Sequence, residues 1–169
     1  MPVPQLLVLI MTMNVQIARL KELLGTKNYE AVDPKFNNKL LLFESANGLL
    51  LPPDLVEYFR LLENTSDKVA PNLYEFYPLH QFTSVKNGLA YWSGIPDYGN
   101  IVNTLEGCEY CFAFADYQFH LFTYVIRLHQ HYEGVNEIYV ICGDKYKMIA
   151  KSFSAFLDLY FDDSTELSL

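Results

Sequence analysis

At 169 residues, 51% of them apolar and with 13 Tyr and 12 Phe, the chain can bury a core as one domain without disulfides or metals, which excludes a disordered chain. Twelve basic against twenty acidic residues leave a net charge of -8. Such a surface repels phosphate backbones and anionic lipid, so nucleic acid and membrane surfaces are excluded as partners and basic proteins are favoured.

The apolar run Leu6 to Ile10 is too short to span a bilayer, which needs roughly 20 residues. With Met11 and Met13 available as starts, residues 1–13 read as a disordered extension or start-codon artefact, and residues 14–169 as a single domain. From Asn14, an available cap, Ile17, Leu20 and Leu24 recur at helical spacing up to Gly25. Asp33-Pro34 opens a second helix that aligns Phe36, Leu40 and Phe43 and stops at Asn47-Gly48. A third follows Leu51-Pro52-Pro53-Asp54, with Leu55, Phe59 and Leu62 inward and Asp54, Glu57, Arg60 and Glu63 on its outer face.

After Pro71 the pattern turns to strands, at Leu73–Leu79, Glu109–Tyr117 and Phe119–Leu128. Between the first and second lies Lys86 to Gly107, which holds four of the eight glycines and reads as a long irregular loop with one short strand near Leu89–Trp92. Glu137–Cys142 and Lys145–Ala150 form a hairpin across Gly143-Asp144, where a leading glycine suits a type II′ turn. Ser152 then caps a closing helix with Phe153, Phe156, Leu157 and Tyr160 on one face. The expected class is α+β: N-terminal helices on one side of a mainly antiparallel sheet, a C-terminal hairpin and a closing helix, with the other sheet face concave and free.

Glu44, Gly48, Leu51-Pro52, Asp54, Leu55 and Tyr58, followed by Phe112-Ala113-Phe114-Ala115 and by Gly143-Asp144 with Ser152-Phe153, Phe156-Leu157 and Tyr160, resemble in order and spacing the motifs of the SUKH superfamily. Asn47, where the family usually has an apolar residue, and Asn64-Thr65, where an Asn-Gly turn is common, mark departures. The resemblance covers roughly residues 40–162 and implies an α+β fold used by bacterial immunity proteins that neutralise toxins of interbacterial competition. Fungal relatives regulate cell-wall glucan synthesis through protein contacts, which makes a regulatory scaffold the alternative. Neither role implies a catalytic centre, so the expectation is a non-enzyme without cofactor.

Other chemistry finds weaker support. Cys108-x-x-Cys111 has metal-ligand spacing, but His129-x-His131 leaves one residue between histidines where zinc sites leave three to five, so a metal-dependent enzyme built on these four is the remote alternative. Read as a redox pair, the cysteines precede a strand instead of opening a helix. Cys142 is expected in the core. Asp116 and His120 with a nearby serine would make a triad, yet no G-x-S-x-G elbow occurs, and phosphate-binding glycine loops are absent. For partner binding the candidates are Tyr91, Trp92, Asp97 and Tyr98 in the long loop, extended by the acids Glu106, Glu109 and Asp116. The favoured partner is a basic toxin domain. With three cysteines and nothing that resembles a secretory signal, the expected location is cytoplasmic.

Overall fold

The computed structural model describes residues 15–25, 34–63 and 70–169. The expected caps Asn14 and Asp33, residues 1–13 and Asn64-Thr65 lie outside them. Residues 15–23 are helical (α1), followed by α2 (Phe36–Asn47) and α3 (Pro53–Glu63). Pro34 stands in the turn before α2, and its N-cap is Lys35, which makes no side-chain cap bond. Gly48 ends α2 in the left-handed region, at φ +65, and its N–H returns to the Glu44 carbonyl.

Six strands form one antiparallel sheet: β1 (Tyr74–Phe76), β2 (Thr83–Ser84), β3 (Cys111–Tyr117), β4 (Phe122–Arg127), β5 (Ile138–Cys142) and β6 (Lys145–Ala150). Their order is β1-β3-β4-β5-β6, with β2 also paired to β3. The closing helix α5 (Phe153–Phe161) is capped by the Ser152 side chain, which accepts the Ala155 N–H. The fold is therefore mixed α+β, as the patterns predicted. The strands are shorter than the apolar runs that announced them. Leu73 adopts φ +69 before β1, and Leu79–Gln81 forms a 3₁₀ turn after it.

Helices α1, α2, α3 and α5 cover one face. Leu20, Phe36, Leu55, Tyr58, Phe59, Phe153 and Phe156 meet Phe114, Tyr124, Ile126, Ile138 and Val140 there. Each fully buried aromatic or aliphatic side chain in such a core contributes on the order of 1.5–3 kcal/mol. The residues that carry the family resemblance tie this layer together. The Glu44 carboxylate accepts the Leu51 N–H at 2.8 Å, holding the entry to α3. Asp54 Oδ2 accepts both the N–H and the hydroxyl of Ser154 in the first turn of α5, at 2.8 and 3.0 Å. The Tyr58 hydroxyl reaches the carbonyls of Tyr77 and Phe114 at 2.9 and 2.8 Å. Asp54 thus faces the N-terminus of a neighbouring helix, not the solvent-exposed stripe expected of it.

The second sheet face is not free. The chain between β2 and β3 lies over much of it and builds a smaller core from Val85, Leu89, Tyr98, Ile101, Leu105 and Cys108 against Cys111, Ala113, Val125 and Ile141. No strand forms at Leu89–Trp92. A 3₁₀ turn occupies Leu89–Tyr91, and a short helix α4 (Ile101–Thr104) follows. The excursion is anchored to the β5–β6 hairpin, where the Thr104 hydroxyl donates to the Asp144 carbonyl at 2.7 Å. Gly143 has φ +63 and Asp144 does not share the positive region, as a type II′ turn requires.

Candidate functional site

The register of β3 decides what reaches the second face. A bulge between Ala113 and Ala115 inserts Phe114, so Phe114 and Ala115 both point to the helical core. Alternation then resumes one step out of phase and turns Asp116 to the opposite face. There it lies in a cross-strand row with Glu75 of β1 and Thr123 of β4. Tyr77, just beyond β1, points the same way.

A cleft of about 480 Å³ opens on this row, between β1, β3 and β4 on one side and the turn at 88–92 on the other. Glu75, Tyr77, Gln81, Thr83, Thr123 and His120 supply polar lining, and Leu89, Tyr91, Trp92 and Ala113 apolar lining. Asp116, only 2% exposed, lies beneath. Its carboxylate accepts the Tyr77 hydroxyl and binds His120 Nδ1 at 2.8 Å. In the neutral imidazole that bond puts the proton on Nδ1 and an acceptor lone pair on Nε2. Nε2 bonds no described residue. Burial foremost, and then the Asp116 charge beside it, push the Tyr77 hydroxyl far above the ordinary tyrosine range, so it stays a donor.

His120 is displayed by an unusual β3–β4 connection. Gln118, Phe119 and His120 all have positive φ, at 49, 53 and 69. For residues other than glycine this conformation costs roughly 1–2 kcal/mol each. Surrounding bonds hold it. The Gln118 N–H donates to the Leu73 carbonyl at 3.1 Å, and the Tyr98 hydroxyl donates to the His120 carbonyl at 2.7 Å. The Trp92 indole packs edge-on to the His120 ring, centroids 4.2 Å apart. Gly94 lies so close over the indole that a Cβ there would fall 2.8 Å from it.

The sequence-derived candidates are thereby sorted. Tyr91 and Trp92 line the cleft, 81% and 36% exposed. Asp97 is exposed and closes its own turn by accepting the Gly99 N–H. Tyr98 is fully buried, and Asp116 nearly so. Neither offers a partner any surface; both position His120 instead. Glu106 and Glu109 are exposed but adjoin the Cys111 end of β3, about 16 Å along the strand from Asp116 at roughly 3.3 Å per residue. The anticipated acidic patch is therefore divided. Glu75, Tyr77, Thr83 and Thr123 were not singled out from sequence, because only strand pairing brings them together. The Asp116–His120 pairing did form, but no hydroxyl or thiol among the described residues bonds Nε2, so the base lacks the nucleophile that triad chemistry needs.

Cys108 and Cys111 lie in the smaller core, and Cys142 is half-buried, not fully interior. Burial raises the Cys111 thiol to about 11, against a lesser downward pull from Arg127. His129 instead pairs with Glu137 at 3.1 Å. Among the described residues no three His, Cys, Asp or Glu side chains converge as a metal set, and no helix is long and apolar enough to cross a membrane. Compared with family models, curated proteins and solved structures, the chain finds no match.

Proposed function

We propose that this chain is a non-catalytic protein-binding domain of the SUKH type, acting in the cytoplasm as an immunity protein that neutralises a basic toxin of an interbacterial competition system. The observation that carries the reading is the set of exposed apolar side chains on the two loops that supply Trp92 and His120 to the cleft. Tyr91, Ile95 and Phe119, exposed by 81%, 95% and 87%, stand on two loops that are tied to each other by the hydrogen bond from the Tyr98 hydroxyl to the His120 carbonyl. Large apolar side chains held out on a rigid frame are anchors of protein interfaces. The net charge of -8 favours a basic partner and speeds the encounter. The motif resemblance supplies the biological setting.

The test is co-expression with basic toxin domains encoded beside the gene, read as growth rescue and as a stoichiometric purified complex. Trp92→Ala combined with Phe119→Ser is expected to lower affinity at least 100-fold and to abolish rescue. Rescue that survives this double variant moves the interface elsewhere, and failure to bind any neighbouring toxin ends the immunity reading.

A further inference from the structure

The cleft itself carries a more specific assignment, which rests on the protein-binding reading above. Glu75 and Asp116 are directly opposed in the β1–β3 register and share one face. Opposed positions place Cβ atoms about 4.5–5.5 Å apart, and like charges there repel. Asp116 is satisfied by Tyr77 and His120. Among the described residues Glu75 has no hydrogen-bond or salt-bridge partner, and none of those that line the cleft is a lysine or arginine. The same space offers His120 Nε2, an acceptor in the neutral imidazole, the Gln81 and Thr83 side chains, and the aromatic rings of Tyr91 and Trp92. Acceptors and aromatic side chains around one volume, with no lysine or arginine among its described lining, are complementary to a flat cation that carries several N–H donors.

We infer that the cleft is the receptor for one arginine side chain of the protein partner. Its guanidinium would pair with the Glu75 carboxylate, donate to His120 Nε2 and stack against the Trp92–Tyr91 wall. Arginine fits better than lysine because one planar group satisfies both the fork of a carboxylate and an aromatic face. Asp116, Tyr77 and Tyr98 act as positioning residues, fixing the ring of His120 and the turn that bears it.

The only tryptophan lies in the wall of the cleft, so its fluorescence reports occupancy directly. N-acetyl-arginine amide is titrated into the whole protein, with N-acetyl-citrulline amide as the uncharged isostere and N-acetyl-lysine amide as the unforked cation. Amide ¹H–¹⁵N spectra recorded alongside locate any binding the fluorescence misses. The expected result is saturable binding in the millimolar range, at least 10-fold weaker for citrulline and several-fold weaker for lysine. Shifts should concentrate at residues 75–92 and 113–123. Glu75→Gln, at a side chain without a partner among the described residues, is expected to keep the thermal midpoint and to lose at least 10-fold in arginine affinity.

Equal binding of citrulline, shifts elsewhere, no saturation by either readout, or an unaffected Glu75→Gln variant each overturn the assignment. The outcomes separate from those of the functional reading. Partner binding abolished by the Trp92 and Phe119 double variant but untouched by Glu75→Gln removes the arginine pocket and leaves the interface standing. Arginine binding without protection against any toxin does the reverse.

Discussion

Asp54 offers the sharpest check on how the fold is held. Its Oδ2 accepts two hydrogen bonds from Ser154, at 2.8 Å from the N–H and 3.0 Å from the hydroxyl. Ser154 is the second residue of α5, so this N–H is one of the donors that a helix start leaves without an internal partner. The carboxylate also lies where the α5 dipole favours negative charge. Two bonds to an ionised acceptor are worth roughly 1.5–3 kcal/mol each when buried. Asp54 is half-buried, so water recovers part of that, and Asp54→Ala should cost about 2–3 kcal/mol in total. With a urea slope of about 2 kcal/mol/M, the unfolding midpoint falls by about 1–1.5 M. Asp54→Asn keeps an acceptor and should lose about half as much. Ser154→Ala removes only the hydroxyl bond and should cost about 1 kcal/mol, with a clear coupling to Asp54→Ala in the double-mutant cycle. A cost below about 0.5 kcal/mol for Asp54→Ala, or no coupling, would refute the account of Asp54 as the tie between α3 and α5.

Two further outcomes follow from the geometry. Gly48→Ala should destabilise by about 1 kcal/mol in thermal unfolding, purely through its backbone, since a Cβ at Gly48 meets nothing within 4 Å while φ is +65. Stability should also decline in alkali. Burial holds the Cys111 proton to about 11 against an ordinary 9.0, and the protons of Tyr98 and Tyr160 to about 12 against 10.0. In each case the folded state keeps the proton that the unfolded chain has released. The contribution is therefore full below pH 9 and lost progressively as pH rises through 11 and 12. Urea midpoints between pH 8 and 12 should fall accordingly, and since burial also raises the Cys108 thiol, replacing both Cys108 and Cys111 with Ala should delay the onset from about pH 9 to about pH 10.

Which parts of the molecule were legible in the chain depends on the range of the interactions involved. The stops at Gly48, the cap at Ser152 and the turn at Gly143-Asp144 are settled by neighbours within four residues, and each appears where the residues indicate. The reading of Leu89–Trp92 as a strand failed for the converse reason. Leu89 is drawn into the smaller core under the loop, and tertiary packing winds the segment into a 3₁₀ turn against its aromatic content. The glycine-rich loop around Pro96 reads from the sequence as a recognition loop, and the structure places its Tyr91 and Trp92 in the wall of the cleft. Its Tyr98, an equally plausible anchor by composition, is the residue on which the loop folds inward.

Local chemistry and periodicity thus determined the α+β class, the order of helices before sheet and the closing helix, because capping, turn preference and amphipathic spacing act along the chain. The makeup of the cleft was decided only in three dimensions. In Phe112-Ala113-Phe114-Ala115-Asp116 the simple alternation of a strand puts Asp116 on the face of Phe112 and Phe114, beneath the helices. The bulge at Phe114 reverses that, because the extra residue shifts every later side chain across the sheet. It thereby brings Asp116 beside Glu75 from a strand some 40 residues away and beneath a histidine held by a strained turn.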